Sequence, residues 1–291
     1  MLPATGWYSD LGQRLRGTGT EPTIPPQFVE AYRVLNHPRN AFVARRPFAG
    51  YELVRDGTRE RLDGLTKPLQ DVFYPGHRVI STGGAATGGS TRGTVADKEV
   101  ADLVNKGTLP ADGSFSPYAL RILRFLWRHN LQPCAAQFLV YDERIRIATE
   151  IDLVCVDLRV PAGRRNVVFI ECKTGFERNY EKPDGRFSSP YVPDSAISAI
   201  TKNYRNTHQL QALVQLIMAR LAYPALVRDV FVLVMRSGED VLYPISRELR
   251  AVRYHVYTNL ALRLAAGADE TQRRGVEATA AADRIRALFV E

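Results

Sequence analysis

Three apolar, β-branched runs follow one another with no room for a helix between them: residues 136–141 (AQFLVY), 145–158 (IRIATEIDLVCVDL) and 166–173 (NVVFIECK). Asp142-Glu143 and Pro161-Ala162-Gly163-Arg164 stand between them. Runs of this composition bounded by turn residues read as strands. Connections this short join antiparallel neighbours, so the three runs make a meander. The third is almost wholly apolar, which predicts a strand buried on both faces.

The flanks of the meander are helical. Val95, Val100, Leu103 and Val104 space as one face of a helix ending near Gly107. A second helix runs from about Pro117 to His129, with proline suited to its first turn and Trp127 reading as core. After a polar loop over 174–194, a long helix starts near Ser195 or Thr207 and ends near Ala222. Residues 230–235 (VFVLVM) predict a buried strand, 241–245 its hairpin partner, and the tail from Tyr254 is helical. The order from Thr94 is α-α-β-β-β-α-β-β-α. The reading is an α/β core over 81–250, a proline-rich N-terminal elaboration over 1–80 and a helical segment over 251–291 packed on the core. Pro22, Pro25, Pro26, Pro38, Pro47 and Pro68 argue against long helices or central strands in the elaboration; one short helix is predicted near 27–35. The glycine-rich stretch 81–94 reads as a mobile loop. Gly83 and Gly88 have phosphate-loop spacing, but Gly89-Ser90 stand where a Lys-Ser/Thr pair is required, which excludes an NTPase loop.

With 45% hydrophobic and 24% charged residues the chain is a folded globular protein. No apolar run is long enough for a transmembrane helix, the first residues lack the core of a secretory signal, and three cysteines are too few for a disulfide framework. The expected setting is cytoplasmic or nuclear, with no membrane partner. Thirty-nine Lys and Arg against 31 Asp and Glu give a net charge of +8, which favours a polyanionic partner.

Charges interrupt the apolar strands at four places. Glu150 and Asp152 lie two apart on one run, Glu171 and Lys173 two apart on the next. Side chains two apart on a strand share a face, so Asp152, Glu171 and Lys173 converge if the strands are neighbours. Isolated buried charges are costly; carboxylates grouped beside a lysine suit a hard divalent cation such as Mg²⁺, with Mn²⁺ as substitute. Such a site polarises a phosphoryl group, while the lysine positions or deprotonates the attacking water or steadies charge on the phosphate. The competing reading is a plain Glu171–Lys173 salt bridge at a strand end.

These residues resemble the PD-(D/E)XK nuclease superfamily, in particular its RecB-type and lambda-type exonucleases. The strand motif G-x-x-D aligns with Thr149-Glu150-Ile151-Asp152, where Thr149 replaces the glycine, (D/E)-x-K is met by Glu171-Cys172-Lys173, the helix motif Q-x-x-x-Y aligns with Gln209 to Leu213, and the upstream G-T-x-x-H with Gly93-Thr94-Val95-Ala96-Asp97. The resemblance covers about 92–245. It implies a restriction-endonuclease-like core, with a central mixed sheet of about four to five strands flanked by helices in α-β-β-β-α-β order. It also implies metal ligation by Asp152, Glu171 and the backbone carbonyl of Cys172, and a role for Gln209 in holding the lysine or the phosphate. Asp97 stands where the family has histidine and is a candidate ligand, with Glu99 as competitor; Glu150 is either a further ligand or a flanking acid. Leu213 departs from the family's tyrosine.

Residues 201–209 (TKNYRNTHQ) place Lys202, Arg205 and His208 at the start of the helix carrying Gln209. Cations and free helix N–H groups suit phosphate; His208 reads as either a phosphate donor or a structural histidine. Arg92 is a candidate for a terminal phosphate. Tyr180, Phe187 and Tyr191 either stack on unpaired bases or pin their loop. The expectation is a Mg²⁺-dependent DNA exonuclease acting from ends in repair, recombination or replication. An endonuclease of the same fold acting on DNA or RNA, or a catalytically silent nucleic-acid-binding protein, are the alternatives.

Overall fold

An eight-stranded mixed sheet organises the chain, with helices on both faces. The computed structural model describes residues 26–35, 43–45, 50–55, 57–75, 88–174, 180–189, 191 and 196–266, with backbone alone at 26, 43–45, 88–92, 265 and 266. The elements are α1 (Pro26–Leu35), β1 (Val43–Arg45), β2 (Tyr51–Arg55), β3 (Thr58–Gly64), α2 (Thr66–Phe73), α3 (Gly88–Lys106), α4 (Pro117–Arg128), β4 (Leu131–Asp142), β5 (Ile147–Asp157), β6 (Val167–Thr174), α5 (Tyr204–Ala222), β7 (Val227–Met235), β8 (Asp240–Pro244), α6 (Arg247–Ala251) and α7 (Arg253–Ala266), with a 3-10 turn at Ala196–Ala199.

The three apolar runs form the expected meander: β4 pairs antiparallel with β5, and β5 with β6. β6 then pairs parallel with β7, which α5 makes possible as the crossover, and β7 pairs antiparallel with β8. The strands run β1-β2-β3-β5-β6-β7-β8, with β4 on the other edge of β5. Alternation sorts the side chains. Leu153, Cys155, Val168 and Ile170 pack with Ala96, Val100, Ile122 and Phe125 of α3 and α4. Val154, Val156, Val167 and Phe169 pack with Leu213, Leu216 and Ile217 of α5. Each side chain so buried contributes roughly 1.5–3 kcal/mol of transfer free energy, which is why β6 tolerates no polar residue before Glu171.

Local chemistry sets the helix ends. Ser116 Oγ accepts from Ala119 N at 3.4 Å and Pro117 opens α4, a cap worth about 1 kcal/mol. Asn203 Oδ1 accepts from Asn206 N at 2.7 Å and fixes the start of α5.

Four expectations need correction. The sheet exceeds four to five strands because β1–β3 extend it. These come from the proline-rich N-terminal region, whose prolines lie outside β2 and β3; Arg55 pairs with Thr58 across a turn containing Gly57 at φ +77°, a conformation glycine adopts freely. Pro68 sits in the first turn of α2, where a missing N–H costs no helical bond. The glycine-rich stretch is helical from Gly88 onward, and residues 81–87 lie outside the described ones. Trp127 is 42% exposed rather than core; α4 turns Ile122, Leu123, Phe125 and Leu126 inward instead.

Candidate active site

β5 and β6 stay in register from Val156↔Val167 to Leu153↔Ile170. The next pair in that register is Asp152 with Glu171, and there the ladder stops. Cys172 N–H donates instead to Asp152 Oδ2 at 2.7 Å. β3 meets the same edge of β5 only at Ile147 and Ala148. Residues 149–152 therefore line a notch between β3 and β6.

Glu171 and Lys173 share one strand face, and Lys173 Nζ donates to Glu171 Oε1 at 2.6 Å. Glu171 is 4% exposed. Two glutamines one helical turn apart on α5 complete its shell: Gln211 Nε2 donates to Oε1 at 2.7 Å and Gln215 Nε2 to Oε2 at 2.9 Å. Three side-chain donors on one buried carboxylate fix its orientation.

Asp97 enters from α3. It lies one turn beyond Gly93, where an added Cβ would come within 2.9 Å of Thr174 Oγ1; glycine lets the helix abut the end of β6. Burial pushes the Asp97 carboxyl up to about 6; Lys173 opposes this rise and Glu171 adds to it. Burial, then the Glu171 charge, holds Asp152 well above the usual carboxylate range, with Asp97 contributing. Burial alone would lower the Lys173 ammonium, but Glu171 and Asp152 outweigh it and raise it to about 12. Asp97, Asp152, Glu171 and Lys173 thus act electrostatically as one group. Glu99, the competitor of Asp97, is committed elsewhere: its Oε2 accepts from Ser116 N at 2.8 Å and ties α3 to α4.

The remaining candidates divide. Cys172 turns its thiol to the opposite face, against the α3–α4 side of the core. Glu150 stands half-buried one strand step from Asp152, opposite Leu139. Gln209 is not at the cluster. It is fully buried, donates from Nε2 to Pro244 O at 2.8 Å and accepts from Ser246 N at 3.4 Å, pinning the β8–α6 connection. Two residues along a helix is more than half a turn, so the glutamines facing β6 are Gln211 and Gln215. The available signal was the pair Gln211 and Gln215, four apart in the apolar second half of the helix. His208 lies within 3.4 Å of Tyr180 Oη through Nδ1; burial, then the Lys173 charge, lowers it to about 3, so the ring is neutral at neutral pH. Lys202 Nζ pairs with Asp184 Oδ2 at 3.1 Å. Arg205 Nη1 lies 3.6 Å from Glu181 Oε1 and its guanidinium 4.7 Å from the Tyr243 ring centroid. Arg92 is in α3, and its side chain lies outside the described residues. Tyr180 and Phe187, each 1% exposed, pin their loop to the core.

Among the described residues no three His, Cys, Asp or Glu side chains stand, as placed, in a group that holds a metal ion. Several lone pairs at the notch are already taken: Lys173 and Gln211 claim Glu171 Oε1, Gln215 claims one side of Oε2, and Cys172 N–H claims Asp152 Oδ2. What remains is Asp152 Oδ1, the second lone pairs of Asp152 Oδ2 and Glu171 Oε2, and Asp97. This donor set, all carboxylate oxygen, fits a hard divalent cation by chemical type.

No protein-family model matches this chain, and comparison with curated proteins finds no significant match.

Proposed function

We propose that this chain is a metal-dependent nuclease of the PD-(D/E)XK type that hydrolyses phosphodiester bonds, acting on DNA and from strand ends. One observation carries the reading: two acids and a lysine from adjacent antiparallel strands meet where those strands part, joined by a third acid from a helix. Asp152, Glu171 and Asp97 would hold Mg²⁺ or Mn²⁺, together with the Cys172 carbonyl. The bound ion would supply Lewis-acid polarisation of the phosphate and an acidified water. The chain's own contribution is positioning. Gln211 and Gln215 hold Glu171, Gly93 brings α3 and Asp97 to the strand end, and Lys173 offers a positive charge to the phosphate and the attacking water. The surplus of eight positive charges supports a polyanionic substrate.

A second reading is favoured by the engagement of Glu171: both of its oxygens already accept protein donors. On that reading the chain binds nucleic acid without cutting it.

The test is digestion of linear and covalently closed circular duplex DNA with Mg²⁺, Mn²⁺ or EDTA, with Lys173→Ala alongside. Loss of the linear substrate alone, dependent on metal and on Lys173, is the expected result. Cutting of the circle establishes an endonuclease. Binding without cutting of DNA or RNA makes the silent protein the better account, and cleavage by Lys173→Ala at wild-type rate refutes the active site.

A further inference from the structure

Beyond the notch, a tyrosine hydroxyl and two guanidiniums gather around one carboxylate oxygen. Tyr243 Oη, on β8, donates to Glu181 Oε1 at 3.0 Å. Arg236, directly after β7, approaches the same oxygen at 3.4 Å through Nη2, and Arg205, on α5, at 3.6 Å through Nη1. Arg236 also donates to Tyr243 Oη. Both guanidiniums lie over the Tyr243 ring, at 4.7 Å for Arg205 and 5.5 Å for Arg236, which holds their planes in place. Tyr180, fully buried, packs beneath Tyr243 with centroids 5.6 Å apart.

Two features separate this from an ordinary surface ion pair. Two guanidiniums share one oxygen of a single carboxylate, and Arg205 also acts on the Glu248 carboxylate at the start of α6. The carboxylate is also the outermost member: the Glu181 side chain is 52% exposed, against 29% for Arg236, and Tyr243 is 8% exposed. The donors are the more buried members of the cluster and the acceptor the more exposed one. Among the described residues the buried Nε of Arg205 and of Arg236 has no acceptor, whereas a tetrahedral oxyanion offers more acceptor oxygens than a carboxylate.

The position relates the cluster to the notch. β6 and β7 run parallel, and Lys173 pairs with Val234. Arg236 is two residues further in the same direction, roughly 8 Å from Lys173 between backbones at strand spacing and rise. Tyr180 bridges the two, touching His208 at 5.7 Å between centroids, and Lys173 in turn acts on His208.

We propose that Arg205, Arg236 and Tyr243 form a phosphate subsite for the nucleic-acid strand, occupied in the free protein by Glu181, which the phosphate displaces. The identity of the ligand as nucleic acid rests on the nuclease reading; the subsite itself does not. Bidentate guanidinium on phosphate is stronger and more directional than the exposed carboxylate contact it replaces.

The experiment titrates a short fluorescein-labelled single-stranded DNA oligonucleotide by anisotropy, in EDTA, across a range of salt. Glu181→Gln removes the competing charge and is expected to bind about 5-fold tighter. Arg236→Ala is expected to bind about 10-fold weaker, with the salt slope lowered by about one. Arg236→Lys keeps the charge without the fork and falls between. Glu181→Gln and Arg236→Lys both binding within twofold of wild type overturns the subsite, even if Arg236→Ala fails to fold. Cleavage is scored separately. The expected binding pattern in a protein that never cleaves keeps the subsite and sinks the nuclease reading; Lys173-dependent cleavage without the pattern does the reverse.

Discussion

Replacing Gln215 by leucine isolates the clamp on Glu171, because two effects of opposite sign meet in one side chain. The substitution removes the 2.9 Å bond from Nε2 to the Glu171 carboxylate, and a hydrogen bond to a charged group contributes about 1.5–3 kcal/mol. It also removes Gln215 Oε1, which is buried without a partner, and relief of an orphaned acceptor returns about 1–3 kcal/mol. The single variant should therefore lie within about 1 kcal/mol of wild type, a Tm shift of at most about 4 °C for a chain of this size. In a Glu171→Gln background the charge-assisted bond is already gone, so the same change should stabilise by about 1–2 kcal/mol. The double-mutant cycle, measured by urea unfolding in EDTA, then gives a coupling of about 1 kcal/mol or more. Under the nuclease reading, Gln215→Leu also slows cleavage while leaving oligonucleotide binding intact. Additivity of the two substitutions within about 0.5 kcal/mol would refute the clamp, since contacting partners must couple.

Asp157 sets an acid limit on stability. Burial would raise its carboxyl, but hydrogen bonds from Arg159 and Arg228 hold it down at about 2 against an ordinary 3.8. A folded-state value below the unfolded one stabilises above the unfolded pKa, so up to about 2 kcal/mol present at neutral pH is lost as pH falls from about 4 to about 2; Arg228→Met should flatten that part of the acid denaturation curve, and an unchanged curve discounts the pair. Gly93→Ala forces a Cβ against Thr174 Oγ1 and should cost about 1–3 kcal/mol, with partial rescue by Thr174→Ala in thermal melts; equal melting of the single and double variants would show that the close approach does not matter. Asp152→Asn should abolish both cleavage and Mg²⁺-dependent thermal stabilisation, and a variant still stabilised by the ion would remove Asp152 from the ligands.

The core was legible because strand chemistry is local. β4, β5 and β6 carry their β-branched runs between turn residues, and the charges announce themselves by breaking those runs at Glu150, Asp152, Glu171 and Lys173. The helix phase of α5 was not legible from motif spacing alone. Gln209 and Gln211 both fit a glutamine motif, and only the packing of the helix against β6 decides which one reaches Glu171. Arg236 and Tyr243 carry no sequence signal for a related reason: they sit seven residues apart across the β7–β8 hairpin, and strand pairing brings them to Arg205. β2 and β3 were hidden by nearby prolines that the strands themselves do not contain. Among the described residues of the 55–64 segment only Leu62 is fully buried, too little for an apolar signal.

The junction of β3 with β5 has a further consequence. Among the described residues Asp63↔Ile147 and Gly64↔Ala148 are the strand pairs that join the outer three strands to the rest of the sheet, flanked by the exposed ion pairs Arg55–Glu143 and Glu60–Arg146, and Leu53, Leu62 and Ala148 form a small apolar nucleus at the junction. Arg263 reaches over from α7 to Asp63 at 2.9 Å as an outside brace. A leaf joined by so narrow an isthmus opens at lower free energy than the body it borders. Amide hydrogens of β2 and β3 should exchange well ahead of those of β6, and cutting the brace with Arg263→Ala should speed them selectively. The wall of the notch beside Asp152 is then a door on its own hinge, able to widen while the strands that carry Glu171 and Lys173 stay shut.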